Sequence, residues 1–114
     1  MEVRRGNIVL VNLEPVKGSE QGKIRPAIII QNDSGNQYSP TTIIAPITST
    51  VFSKEFPTNV SVSRKDSGLE KDSTILLNQI RTIDKSRIIK KPSRLDLSIM
   101  NKVDLAIKVS LGLE

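Results

Sequence analysis

Residues 18–26 read Gly-Ser-Glu-Gln-Gly-Lys-Ile-Arg-Pro and join a polar loop to a single arginine at the start of an apolar run. The two glycines allow turn conformations, so the three polar side chains between them stand on a loop that could wrap a ligand. Pro26 has a fixed φ and also restricts the backbone of Arg25 before it. An arginine placed in this way beside a polar loop is suited to binding phosphate.

The same stretch also has a simpler interpretation, an ordinary hairpin connection followed by a solvated charge at the end of a strand. Most loops of this composition only reverse the direction of the chain. The residue types therefore leave both interpretations of Arg25 open.

Histidine and cysteine are absent from the sequence. Their absence excludes zinc sites of the usual ligand types, a Ser-His pair, an imidazole base and thiolate chemistry. The acidic residues that could hold magnesium are scattered singly, which argues against a metal nuclease: Asp33, Asp66, Glu70, Asp72 and Asp84. We therefore expect no metal and no cofactor, and any catalysis must use Arg, Lys, Glu, Ser, Thr or Gln.

The composition is that of an ordinary globular chain, with 114 residues of which 37% are hydrophobic, and it predicts a single domain over 1–114. Lysine and arginine number 17 against 12 acidic residues, and the net charge of +5 favours a polyanionic partner. No apolar run reaches membrane-spanning length and no charged-then-apolar leader is present, so we expect a cytoplasmic protein.

Short apolar runs separated by turn residues predict strands over residues 8–11, 27–30, 42–47 and 59–63, arranged as an antiparallel barrel. Pro46 favours an edge or strand-end position for the third run, because proline cannot donate to a central ladder. Residues 73–83 predict one long strand with Gln79 and Arg81 on the same face.

From about residue 95 the apolar residues recur with helical spacing, on a stripe formed by Ile99, Val103 and Ile107. Asp96 or Ser93 could cap the start of this helix, and Gly112 could end it. Asp104 and Lys108 have the i,i+4 spacing of an ion pair. The apolar arc is so wide that the helix must be well buried or meet a second subunit.

Six short motifs are spread over nearly the whole chain. They are Arg-Gly-Asn at 5–7, the 18–26 stretch, Ile-Ile-Gln-Asn-Asp at 29–33, Ser-Pro-Thr at 39–41, Ile-Thr at 47–48 and Leu-Asn-Gln-Ile-Arg-Thr-Ile-Asp at 77–84. In this order they resemble the MazF/PemK family of toxins. Several separated motifs are a far more specific signal than one glycine loop.

The resemblance implies a mainly β fold with a C-terminal α-helix, the SH3-like, twisted antiparallel β-barrel of CcdB-type and MazF-type toxins. This agrees with the strand-rich pattern. It also implies a homodimer with ligand grooves at the interface.

The resemblance further implies an mRNA interferase, a sequence-specific, ribosome-independent endoribonuclease that cleaves single-stranded RNA without metal. Attack by the 2′-hydroxyl would leave a 2′,3′-cyclic phosphate and a 5′-hydroxyl end. A cognate antitoxin of the MazE kind would bind through an acidic C-terminal segment. Two alternatives share the basic charge or the fold, a non-catalytic nucleic-acid-binding module and a CcdB-like topoisomerase poison.

By the same resemblance, the catalytic pair of the family, an arginine that opens the second strand and a threonine that ends the third, falls on Arg25 and Thr48. The RNA-binding positions fall on Ser19, Glu20, Gln21, Gln79 and Arg81. Glu20 is also a candidate general base. Residue type alone favours the simpler interpretation of Thr48 as a β-branched residue packed at a strand end, and of Glu20 as a solvated loop residue.

Overall fold

The computed structural model describes residues 2–14, 18 and 23–113, and within them an antiparallel sheet is the main feature. Its seven strands are β1 (Asn7–Asn12), β2 (Ile24–Ile29), β3 (Thr41–Thr48), β4 (Asn59–Val62), β5 (Ser73–Leu76), β6 (Arg81–Asp84) and β7 (Ile88–Arg94). The helices in the same described ranges are α1 (Asp33–Tyr38), α2 (Arg64–Ser67) and α3 (Leu97–Leu111), and short 3₁₀ turns occupy Leu77–Gln79 and Lys85–Arg87.

The strand order is β4-β5-β3-β2-β1-β7, and β6 also pairs with β3. The long strand β3 therefore has two partners on one side, β6 along its first half and β5 at its end. Among the described strands, β4 and β7 lie at the two outer edges and do not pair with each other, so the twisted sheet is not closed. The predicted class, mainly antiparallel β with a C-terminal helix, is confirmed.

Pro46 lies inside the central strand β3, so the prediction of an edge position is wrong. The amide of Ile30 donates to the carbonyl of Ile43 at 2.9 Å, and alternation along the ladder makes Ala27 and Pro46 a non-hydrogen-bonded pair. The backbone nitrogen of Pro46 therefore points away from β2, toward the side where Leu77–Gln79 interrupts the neighbouring strands. The missing N–H costs no ladder bond there.

The long strand predicted over residues 73–83 is also wrong, because the 3₁₀ turn Leu77–Gln79 divides it into β5 and β6. This turn shifts the alternation of side chains. Thr74 lies opposite Thr48, and Arg81 lies opposite Ile44, which precedes Thr48 by four residues in β3. Residues four apart in a strand share a face, so Thr74 and Arg81 lie on the same face.

Apolar side chains fill two clusters, one on each face of the sheet. Neighbours within a strand alternate between them, as Ile8 and Val9 in β1 or Ala27 and Ile28 in β2 do. Each fully buried isoleucine or leucine contributes about 2 kcal/mol of hydrophobic free energy. The two clusters thus fix the register of side chains along each strand, and with it the face on which the side chains at the strand end lie.

Helix α3 begins at its cap residue Asp96, whose carboxylate accepts the amide of Ile99 at 3.1 Å, and ends at Gly112 with φ of 70°. The Asp96 cap and the Gly112 stop are confirmed. The hydroxyl of Ser98, followed by that amide, lowers the pKa of Asp96. No helix in the described part of the chain is long and apolar enough to cross a membrane.

The outer side of α3 differs from the expected pattern. Asp104 pairs with the guanidinium of Arg5 at 2.5 Å, so the predicted ion pair with Lys108 is wrong. Ile99 and Val103 are buried, whereas Leu105 and Val109 are 63% and 53% exposed. They line an open groove together with the aromatic pair of the 49–58 connection, Phe52 and Phe56. One side of the helix is therefore core, and the other is an exposed apolar face.

Candidate active site

Arg25 and Thr48 lie opposite each other at the ends of β2 and β3. The pairing of Ala27 with Pro46, continued by two residues, places Arg25 opposite Thr48 on one face of the sheet. The alternation set by Ile30 and Ile43 makes this a non-hydrogen-bonded position, where opposite side chains approach most closely. The fold thus brings the two residues of the predicted catalytic pair together.

Arg25 is half-buried, and its main chain pairs with Val11 of β1 on the other side. Together with Lys23, Lys71 and Lys90 it lines an open groove of mostly basic charge, with Glu70 as the one acidic lining residue among the described part of the chain. Apolar residues lie between these charges: Leu10, Ile24, Pro26, Ile47 and Leu69. The positive charges favour an anionic ligand, and the apolar surface between them could contact its uncharged parts.

The Thr48 hydroxyl is held by the chain that leaves β3. Thr48 is only 5% exposed, and its Oγ1 accepts the amide N–H of Thr50 at 3.2 Å. The Thr48 hydroxyl in turn donates to Oγ1 of Thr50 at 3.2 Å. The carbonyl of Thr50 accepts the hydroxyl of Thr74 at 2.9 Å. Thr48 therefore belongs to a short network of threonines rather than to the apolar core.

Arg81 and Gln79 occupy different kinds of structure. Arg81 in β6 lies on the same face as Thr48, because its partner Ile44 and Thr48 are four residues apart in β3. Its guanidinium donates to the carbonyl of Leu13 at 3.4 Å, beside the end of β1. Gln79 is half-buried in the 3₁₀ turn, so the strand that was expected to align it with Arg81 does not exist.

Ser19, Glu20 and Gln21 lie outside the described residues, but both ends of their connection are described. The carboxylate of Glu14 accepts the amide of Lys23 at 2.9 Å. Lys23 has a left-handed φ of 64°, and its carbonyl accepts the amide of Leu13 at 2.9 Å. The guanidinium of Arg87 donates to the carbonyls of Asn12, at 3.0 Å, and Glu14. We call Glu14, Lys23 and Arg87 the loop base.

The loop base and the threonine network were not found from the sequence. Thr50 had a local signal, because a threonine hydroxyl often accepts the amide two residues later. Glu14 and Arg87 had none, since Arg87 is 75 positions from the Asn12 carbonyl that it binds. Within residues 2–14, 18 and 23–113, no three acidic side chains come together in a group that could hold a metal ion.

A family model and a related protein of known name both match nearly the whole chain. Residues 4–111 match the family model for the PemK-like, MazF-like toxin of type II toxin-antitoxin systems. Endoribonuclease EndoA of Bacillus subtilis (strain 168) is 50% identical over 113 residues, covering 99% of this chain and 97% of that protein.

Solved structures share the fold. MazF from Deinococcus radiodurans has a TM-score of 0.84 at 24% identity and covers 99% of each chain. A mycobacterial endoribonuclease in complex with its cognate antitoxin has a TM-score of 0.82 at 21% identity, covering 98% of this chain and 97% of that one. The sequence match over nearly the whole length and the shared fold agree, and the chain belongs to the PemK-like, MazF-like family of type II toxins.

Proposed function

We propose that this protein is a sequence-specific endoribonuclease for single-stranded RNA and the toxin of a toxin-antitoxin pair. The relative from Bacillus subtilis, half identical over nearly the full length, is named an endoribonuclease. The observation that carries the proposal is the cross-strand position of Arg25 and Thr48, of which Arg25 also lines a basic groove. An arginine fork and a hydroxyl on one face suit the two non-bridging oxygens of a phosphodiester.

The RNA itself supplies the nucleophile in this mechanism. A new bond forms between the 2′-oxygen and phosphorus while the bond from phosphorus to the 5′-oxygen breaks, which leaves a 2′,3′-cyclic phosphate and a 5′-hydroxyl. One proton leaves the 2′-hydroxyl and another reaches the departing 5′-oxygen. The protein must hold these atoms in line and stabilise the charge that grows on phosphate.

Arg25 and Thr48 serve that charge. The Arg25 guanidinium donates two parallel hydrogen bonds to the phosphorane oxygens, and the Thr48 hydroxyl donates another. Removal of one such donor typically raises the barrier by about 3 kcal/mol. Arginine has a pKa above about 12 and is a poor base at neutral pH. We therefore assign proton removal to Glu20 on the loop.

The surrounding residues select the RNA. In this proposal Ser19, Glu20 and Gln21 contact bases from the loop, and Gln79 and Arg81 contact the RNA from the 3₁₀ turn and β6. Aromatic residues are sparse, two phenylalanines and one tyrosine in 114 residues, so hydrogen bonds and backbone contacts must replace base stacking.

Two protein partners belong to the proposal. The exposed apolar face of α3, with Leu105 and Val109 beside Phe52 and Phe56, would pack against a second copy to form a homodimer. An acidic antitoxin segment would be attracted by the basic groove. The whole of 1–114 would act as a single domain in the cytoplasm, where its RNA substrate is made.

A long transcript incubated with the purified protein in EDTA tests the activity. We expect fragments with 2′,3′-cyclic phosphate ends at one short sequence, and no cleavage when that site carries a 2′-deoxynucleotide. RNA that is bound but intact would favour the binding module instead. Intact RNA together with inhibited supercoiling would favour the topoisomerase poison.

A further inference from the structure

Thr74 of β5 lies opposite Thr48 of the catalytic pair, and the proposed mechanism gives it no role. We infer that Thr74 is a positioning residue, which fixes the Thr48 hydroxyl through the main chain of Thr50. The inference rests on the proposed ribonuclease function and adds to it the group that orients the hydroxyl donor.

The geometry connects three threonines through one peptide segment. Thr48 and Thr74 lie opposite each other in β3 and β5. The Thr74 hydroxyl donates to the carbonyl of Thr50 at 2.9 Å, and the amide of Thr50 donates to Oγ1 of Thr48 at 3.2 Å. Thr50 is thus held at its carbonyl by Thr74 while its amide is directed at Thr48.

This arrangement controls where the Thr48 proton goes. A hydroxyl has one proton and two acceptor positions, and the Thr50 amide fills one of the latter. In the free protein the Thr48 proton is donated to Oγ1 of Thr50 at 3.2 Å. A phosphate oxygen is a stronger acceptor because the bond is charge-assisted. Rotation of the hydroxyl hydrogen alone then transfers the bond from Thr50 to the substrate.

Burial indicates that the hydroxyl of Thr74, not its shape, matters. Thr74 is 2% exposed, and burying a hydroxyl is unfavourable unless it is hydrogen-bonded. Valine has the same shape and would suit a buried strand equally well. Without the Thr74 hydroxyl, the peptide of Thr50 can rotate beyond the end of β3, and its amide no longer fixes Thr48.

Two substitutions at one position separate the hydroxyl from its packing. Thr74→Val keeps the shape and removes the donor, and Thr74→Ser keeps the donor and removes a methyl group. With an RNA oligonucleotide that contains the mapped cleavage site, we expect Thr74→Val to lower kcat by about tenfold with little change in KM. Thr74→Ser should stay close to the unmodified protein, as should the exposed control Thr82→Val in β6.

The opposite ranking, with valine tolerated and serine impaired, would show that Thr74 only packs and would overturn the inference. Equal kcat for Thr74→Val and the unmodified protein would overturn it as well. In a Thr48→Ala background, Thr74→Val should have no further effect. A full additional loss there would mean that Thr74 does not act through Thr48.

A measurement without RNA separates this inference from the proposed function. The Thr50 amide should exchange its hydrogen faster and shift in the NMR spectrum of Thr74→Val. If that amide is unchanged, the hydrogen-bond chain is refuted whatever the RNA result. If the unmodified protein fails to cut RNA although the amide responds, the proposed function fails and the chain of bonds stands.

Discussion

The two sides of the candidate site are held in different ways. On one side, the buried side chains of Thr48 and Thr74 in β3 and β5 are joined through the exposed Thr50, and all of these hydrogen bonds link uncharged groups. On the other side, the loop base is closed by side chains of Glu14 and Arg87 that bind main-chain groups near the protein surface. Hydrogen bonds between uncharged groups anchored on buried side chains are not weakened by salt, whereas exposed charged contacts are weakened by solvent and salt.

This difference suggests a division of work. The sheet would set the positions of the phosphate-stabilising groups, and the loop base would set how the loop meets the RNA. Changes on the sheet side should therefore reduce kcat, and changes at the loop base should raise KM.

Removal of either phosphate-stabilising group should abolish most activity. Arg25→Ala and Thr48→Ala should each lower kcat/KM by about a hundredfold or more, which corresponds to the loss of one charge-stabilising donor. Arg25→Lys should fail too, because a point charge does not reproduce the guanidinium fork. Cleavage kinetics on the mapped oligonucleotide measure these losses.

Thermal unfolding of the same variants provides the control. We expect melting temperatures close to that of the unmodified protein, since neither side chain belongs to the apolar clusters. If the melting temperature of Thr48→Ala collapses together with its activity, Thr48 is a packing residue at a strand end and the assignment is wrong.

A smaller effect is expected at the loop base. Arg87→Gln and Glu14→Ala remove contacts that close the connection between β1 and β2. Each should raise KM by roughly three- to tenfold and leave kcat nearly unchanged, because the phosphate-binding groups stay in place. The measurement is steady-state cleavage at several RNA concentrations.

Arg94→Gln in β7 is the matched control, since it removes the same charge from an exposed arginine away from the loop base. An equal rise in KM for Arg94→Gln would attribute the effect to overall charge rather than to the loop base. A fall in kcat with unchanged KM for Arg87→Gln would contradict the division of work itself.

Whether a feature of the fold could be predicted from the sequence depends on whether the interactions behind it are local or distant in the chain. The place of Arg25 where the loop becomes a strand and the helix cap at Asp96 were predictable, because proline restriction and capping chemistry act within a few residues. The position of Thr48 at a strand end was expected from the family resemblance, which rests on motifs spread over nearly the whole chain. The break at Leu77–Gln79 was not, since Ile75 and Leu77 continue the alternation of a strand. This 3₁₀ turn lies beside Pro46 of the neighbouring strand β3, and only the pairing of β5 and β6 with β3 reveals that the two are adjacent.

The charged contacts show the same limit. The spacing of Asp104 and Lys108 predicted a helical ion pair, but Asp104 binds Arg5, 99 positions away in the sequence. Arg87 likewise reaches main-chain groups at the far end of the chain. A local spacing rule cannot weigh a competing partner that only folding brings near.

The smallest expected effect concerns the acid stability of the loop-base side. Asp84 caps the turn that carries Arg87, and it accepts the amide of Ser86 at 2.8 Å. The Ser86 hydroxyl, followed by this amide, holds the pKa of Asp84 below its ordinary value of 3.8. A carboxylate with a lowered folded-state pKa stabilises the protein above its unfolded-state value and loses that contribution as the pH falls through its folded-state value.

Melting temperatures measured from pH 6 down to about pH 3 should therefore decline less steeply for Asp84→Asn than for the unmodified protein. Thr74→Val should leave the steepness unchanged, because Thr48, Thr50 and Thr74 carry no group that titrates in this range. The opposite pattern, with the acid response altered by Thr74→Val and retained in Asp84→Asn, would contradict the assignment of charged contacts to the loop-base side. Agreement would mean that acid strong enough to protonate Asp84, below its ordinary pKa of 3.8, loosens the segment meeting the RNA before it disturbs the threonines that position the phosphate.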